Sequence, residues 1–178
     1  YYSNYNGYIL TGIGTCKDLD IIVPSAYNEK PVVGISSNAF SNSSITSIII
    51  PDSLTSIGAG AFERCSSLKN ATISDNVTFI GNSAFLGCSK LENISIPESI
   101  TSIGKEVFRW CISLTNIIIP DGVKSIGDYA FSGCSLTSVT IPDVVTSIGE
   151  YAFCNNGLTS VEIGNRVTSI GKYAFKNC

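Results

Sequence analysis

The chain has 178 residues, 44% of them hydrophobic and 14% charged, with a formal net charge of −3. That composition suits one folded unit with a buried core and leaves no basic stretch for a phosphate backbone or an anionic membrane surface. Histidine is absent, which removes the commonest general base, the Ser-His and Cys-His nucleophile pairs and most zinc and redox-metal sites, while carboxylate or lysine chemistry stays open.

Taken in chain order, the first segment is GYILTGIGTCKDLDIIVP. It reads as two short strands around a Gly-rich turn and predicts an N-terminal capping hairpin over residues 1–24, placed to cover the edge of whatever follows. From residue 25 the sequence repeats itself. Phenylalanine returns at residues 40, 62, 85, 108, 131, 153 and 175, almost always as Ala-Phe. Ile-Gly returns at Ile57, Ile80, Ile103, Ile126, Ile148 and Ile170, with Ile35-Ser36 as a weaker first member. A third series, L-x-x-V-x-I-P, appears as LENISIP to Pro97, LTNIIIP to Pro120 and LTSVTIP to Pro142.

One coil therefore reads L-x-x-V-x-I-P-x-x-V-T-x-I-G-x-x-A-F-x-x-C over 22 or 23 residues, and such a period signals a stacked solenoid. Val139 and Ile141 alternate with Ser138 and Thr140, the period of two expected of a strand with one buried face. Stacked in parallel, one short strand per coil gives a continuous sheet. Proline, which lacks an N–H, ends the ladder, and the glycine after isoleucine allows a turn. The Ala-Phe segment points inward from an irregular or 3₁₀ return, with the phenylalanines stacked as a spine. The fold predicted is a leucine-rich-repeat solenoid: a parallel β-sheet of 22–23-residue coils, irregular or 3₁₀ returns and an N-terminal β cap. It comprises six to seven coils over residues 25–178 and breaks off in mid-repeat at Cys178. The start at Tyr1 without Met reads as a mature or excised piece of something longer, and its apolar runs, such as residues 48–50 and 117–119, are too short to span a bilayer.

The strings IPDSLTSIGAGAF, IPESITSIGKEVF and IPDVVTSIGEYAF make the chain resemble the BspA-like, or treponemal-type, leucine-rich repeats over roughly residues 17–178. The resemblance implies surface display on bacteria and some protozoa and adhesion to host matrix proteins or to other cells.

Cys65, Cys88, Cys111, Cys134 and Cys178 each lie three residues after the repeat phenylalanine and form a ladder, either of disulfide staples or of buried thiols acting as small hydrophobes. Cys154 departs from the ladder, Asn156 taking its place; Cys154 and Cys16 are the expected exposed thiols. Two outward rows follow from the strand period: Ser47, Asn70, Asn93, Asn116, Ser138 and Ser160, then Ile49, Thr72, Ser95, Ile118, Thr140 and Glu162. The second row is the candidate binding face, because repeat proteins commonly bind on their strand surface and an outward Ile49 or Ile118 invites contact; tolerated solvent-side residues are the plainer reading. Tyr129, Tyr151 and Tyr173 share one register and suit either a sugar or protein grip or simple packing over the turn. Trp110 stands where other coils have Arg64, Gly87 or Gly133, as an interaction site or a packing substitution. Sequons at Asn42, Asn70, Asn76 and Asn93 are expected by chance in so Asn- and Ser-rich a chain.

No catalytic, metal or cofactor site is predicted, and neither nucleic acid nor membrane insertion is expected. The functional expectation is a non-enzymatic, surface-displayed or secreted module that binds a protein ligand such as host extracellular matrix. A structural stalk is the alternative, and a glycan-binding accessory module using the tyrosines a third. Oligomerisation through an uncapped C-terminal end is open.

Overall fold

The computed structural model describes residues 2–4, 7–12, 14 and 18–178. They form a parallel β-solenoid without helix, in which each coil passes through a strand face, an Ile-Gly face and a turn face.

On the strand face, Asp20–Ile22, Ser47–Ile50, Asn70–Ile73 and Asn93–Ile94 form one ladder and Ser138–Ile141 with Ser160–Ile163 another. Coil repeats pair in strict register, Ser47 against Asn70 and Ile50 against Ile73. Alternate side chains therefore point to the core: Ile48, Ile50, Ala71 and Ile73 are buried, and Ile49 and Thr72 are not. Past the strand, the proline carbonyl closes a tight turn: Leu54, Ile100, Val123 and Val145 donate to Pro51, Pro97, Pro120 and Pro142 at 3.0–3.1 Å.

The capping hairpin is corrected in one respect. Gly7–Leu10 and Asp20–Ile22 do not pair with each other: the first joins Lys30–Ile35 in the Ile-Gly sheet, and the second joins Ser47–Ile50 in the strand face. Asp20-Ile21-Ile22-Val23-Pro24 matches Ser47-Ile48-Ile49-Ile50-Pro51 residue for residue, so it is a repeat strand and needs a repeat neighbour. The antiparallel hairpin lies earlier, between Tyr2–Asn4 and Gly7–Leu10.

The repeat glycine has a different job from the one expected. Gly58, Gly81, Gly149 and Gly171 do not have left-handed φ. A Cβ on any of them would lie 2.4–2.5 Å from backbone atoms of the preceding coil. Glycine is needed there for the close approach of two main chains rather than for the turn.

The return segments contain no 3₁₀ helix among the described residues. Instead each coil places two residues in the left-handed region, one before Ala-Phe (Ser83, φ 58°; Tyr129, φ 57°) and one before the cysteine column (Arg64, φ 56°; Trp110, φ 63°). This turns every second amide toward the next coil: Ser83, Phe85 and Gly87 donate to Lys105, Val107 and Arg109 at 2.9, 2.9 and 2.7 Å. The turn face is thus a hydrogen-bonded ladder in its own right. Beneath it the phenylalanines from Phe40 to Phe175 stack near-parallel, with centroids 5.1–5.7 Å apart, within the range for offset-stacked rings.

The expected continuous sheet is broken once on each sheet face. On the Ile-Gly face, the amides of Gly58, Gly81, Gly127, Gly149 and Gly171 donate to the isoleucine of the preceding coil at 2.8 Å, but Gly104 makes no such bond to Ile80. The coil at fault carries Glu-Val-Phe where its neighbours carry Ala before Phe. Val107 is 1% exposed, and the Phe85–Phe108 spacing of 5.7 Å is the widest in the spine. Extra methyl groups at a position sized for alanine overpack the stack and spread the coils. On the strand face, residues 116–119 belong to no ladder, and no backbone hydrogen bond joins them to either neighbouring coil among the described residues. Residues 48–50 carry the same three isoleucines and are paired on both sides, so residue type does not dictate the second gap.

Replacing Val107 with alanine should close the first gap: the Gly104 amide becomes protected in hydrogen exchange, and stability falls by less than about 1 kcal/mol, below the usual penalty for deleting buried methyls. Phe108→Ala, by contrast, opens the spine and should cost about 3–5 kcal/mol in denaturant unfolding.

Candidate functional site

The cysteine column is structural. Cys65, Cys88, Cys111 and Cys134 are buried and unpaired by disulfide. Each thiol donates to the carbonyl of the phenylalanine one coil earlier: Cys65 to Phe40 at 3.0 Å, Cys88 to Phe62 at 3.1 Å, Cys111 to Phe85 at 3.2 Å and Cys134 to Phe108 at 3.1 Å. The Phe62 carbonyl already accepts from the Cys65 amide, so the thiol fills a second acceptor position that would otherwise be buried empty. Asn156 does the same with its amide, donating to Phe131 at 2.8 Å and Phe153 at 2.9 Å. Burial pushes the Cys88 and Cys111 thiols far up and that of Cys134 up to about 12. Such thiols hold their protons and are poor nucleophiles.

Cys154 is corrected: it is 4% exposed. It follows the repeat phenylalanine, where a short side chain is covered by the stack, as Ser132 is one coil earlier. Cys16 lies outside the described residues, and Cys178 is the exposed thiol among them.

All six candidates of the second strand-face row are exposed. Ile49 pairs across to Thr72, and Thr140 to Glu162, whose carboxylate accepts from the Thr140 hydroxyl at 3.2 Å. Ser95 and Ile118 stand outside the ladders. Ile118 is 76% exposed and Ile49 45%. The row has a member not anticipated from the sequence: Ile22, 73% exposed and aligned with Ile49. The DIIVP match was its signal. In the first row, Asp20 accepts from the Thr46 and Ser47 hydroxyls, both at 2.7 Å, which holds its carboxyl below the usual value. Asn93 donates to the Asn70 side chain at 2.9 Å. A hollow of about 690 Å³ opens on this face between Thr72 and Ile118, and a smaller one of about 230 Å³ lies on the far side of Ile118, toward Thr140.

The tyrosine column stacks on itself. Tyr129 and Tyr151 are 4.9 Å apart at 7°, and Tyr151 and Tyr173 5.0 Å apart at 41°. Cations close both ends: the Arg109 guanidinium lies 4.6 Å from the Tyr129 ring, and the Lys172 and Lys176 ammonium groups 4.8 and 4.9 Å from Tyr173. Arg109 is held by Glu106 at 2.8 Å. Trp110 lies against Gly133 of the next coil, where a Cβ would come within 2.5 Å of the indole, and the residue is 45% exposed.

Among the described residues, no group of three or more His, Cys, Asp or Glu is arranged to hold a metal, and no helix is long and apolar enough to cross a membrane.

The repeat pattern that this geometry embodies is that of the BspA type leucine rich repeat region, which matches in six copies over residues 33–156 and 101–178. The chain belongs to the BspA-type leucine-rich repeat family. Its fold is similar to that of the T. pallidum leucine rich repeat protein, at 32% identity and a TM-score of 0.88, covering 97% of this chain and 82% of that one. It is also similar to a leucine rich cell surface protein of Faecalibacterium prausnitzii A2-165, at 27% identity and a TM-score of 0.68, covering 100% and 72%. A leucine-rich repeat protein of Eubacterium ventriosum shares the fold at 21% identity, a TM-score of 0.54 and coverage of 89% and 51%. No curated protein matches the chain in sequence. BspA-type repeats, like leucine-rich repeats at large, are typically non-catalytic and generally mediate protein–protein contact.

The thiol geometry predicts that a disulfide reagent titrates Cys178 in the folded protein and leaves Cys88 and Cys111 untouched until unfolding. It also sets a pH dependence. The folded Cys134 thiol titrates at about 12 against an ordinary value of 9.0, so an unfolded chain releases a proton that the folded one keeps. That contribution is complete below pH 9 and is lost as pH rises from 9 toward 12. The denaturation midpoint of Cys134→Ala should therefore decline less steeply than that of the unaltered chain over this window.

Proposed function

We propose that this chain is a non-enzymatic binding module, displayed at a cell surface or secreted, that holds a protein ligand on its strand face through Ile49, Thr72, Ser95, Ile118, Thr140 and Glu162, with Ile22 extending the row. The observation that carries this reading is the row of outward isoleucines on a face whose other positions are mostly small hydroxyls and amides, with carboxylates at Asp20 and Glu162. Burying Ile22, Ile49 and Ile118 against a partner removes apolar area from water, and the surrounding hydroxyls and amides supply hydrogen bonds that adapt to the partner. The surface assignment draws on the F. prausnitzii relative, which is described as a cell surface protein. Adhesion to host matrix or to other cells is the role such a module would play there.

A spacer is the second reading. It draws on the turn face, whose ladder runs from the Asn38 amide to the Lys176 carbonyl and would keep the rod stiff, but it gives no reason for isoleucine to face water. A sugar grip at Tyr129, Tyr151 and Tyr173 has less support. Sugar platforms need free ring faces, and these rings cover one another. Trp110 with Arg109 is a secondary contact candidate, since both residue types concentrate binding energy.

Ile49→Asp combined with Ile118→Asp should abolish saturable capture of the chain on a panel of immobilised extracellular-matrix proteins and leave its circular dichroism spectrum unchanged. Capture undiminished by the double change would overturn the strand-face assignment.

A further inference from the structure

We propose that the hollow beside Ile118 docks an extended segment of a partner protein in which a basic side chain stands next to an apolar one. This rests on the strand-face reading and specifies its partner. The site exists because the ladder fails at residues 116–119. Where coils pair normally, outward side chains stand in rows about 4.8 Å apart and leave no room between them. At the gap, a space of about 690 Å³ spans the coils of Thr72, Ile94 and Ile118, which all line it. Ile117 and Ile119, both buried on either side of it, turn Ile118 outward, so that its exposed side chain is an apolar wall of the hollow.

Charge selects the occupant. Glu92 and Glu98 line the hollow and no lysine or arginine does. Both glutamates are exposed, and neither takes an ion pair or side-chain hydrogen bond among the described residues. Glu98 also belongs to an acidic column: Asp52, Asp75, Asp121 and Asp143 occupy the same position after the strand in four other coils, with Ser25 and Asn165 there in the first and last. An acidic segment would meet uncompensated repulsion. A segment with Lys or Arg would find two unpaired carboxylates within reach of an apolar contact at Ile118. Asn116, the next residue in line after the paired Asn70 and Asn93, makes no side-chain hydrogen bond among the described residues. Its amide is thereby available to the peptide groups of the docked segment. The contact should weaken as salt rises, because its charges sit at the rim.

The test uses the full chain and three fluorescein-labelled nonapeptides on one threonine-rich extended scaffold: one alternating Lys and Val, one with Glu for each Lys, one with Ser for each Val. Fluorescence anisotropy should show saturable binding of the Lys–Val peptide and at least tenfold weaker binding of the other two. Ile118→Ser, and separately the pair Glu92→Lys with Glu98→Lys, should each weaken the Lys–Val peptide at least tenfold with the fold intact by circular dichroism. Equal binding of the three peptides, or full binding by Ile118→Ser, overturns the proposal. If none of the peptides binds while Ile49→Asp with Ile118→Asp still abolishes capture on matrix proteins, the partner chemistry proposed here is wrong and the strand-face reading stands.

Discussion

A coil of 22 or 23 residues encloses too little volume to bury its own apolar side chains, so each must be completed by another coil about 5 Å away. That spacing governs residue choice on all three faces. On the Ile-Gly face it excludes any side chain larger than hydrogen at Gly58, Gly81, Gly149 and Gly171, because the preceding main chain occupies the space. In the core it matches the distance at which aromatic rings stack, and the phenylalanine spine follows. At the cysteine column it brings a small donor onto a buried carbonyl, a task that Cys and Asn156 perform alike.

The three faces do not carry the stack equally. The turn face runs unbroken because its left-handed residues aim every second amide at the next coil, which couples neighbours through main-chain bonds that no side chain can replace. The two sheet faces can then yield locally without loss of the stack. Val107 shows what makes one yield: a slightly larger core residue separates two coils, and the sheet bonds beside it, from Gly104 to Ile80 and from Thr101 to Thr78, are missing. The gap at residues 116–119 lies one coil further on, on the opposite sheet. The middle of the solenoid is thus its least paired stretch, and its most exposed isoleucine is there.

Much of this could be read from the residues. The period, the inward phenylalanines, the register of the strand rows and the shared thiol ladder all follow from spacing, since a stacked coil places equivalent positions one above another. The family likeness was carried by the same strings. DIIVP matches SIIIP position for position, which marks residues 20–24 as a repeat strand and places Ile22 in the exposed row.

Spacing along the chain settles what is periodic: which residues stack, which face inward, and that a solenoid must form. Where the period is broken or reinterpreted is set by contacts between coils. Residues 117–119 and 48–50 are identical as strings, yet one set is paired and the other is not. The repeat glycines are contact points between main chains rather than turn formers, and Cys154 lies in the core rather than in water. The physical reason is common to all of them. Local sequence specifies one coil's conformation, whereas ladder bonds, close contacts and burial belong to pairs of coils, and their outcome depends on how far apart the neighbouring coil has been held.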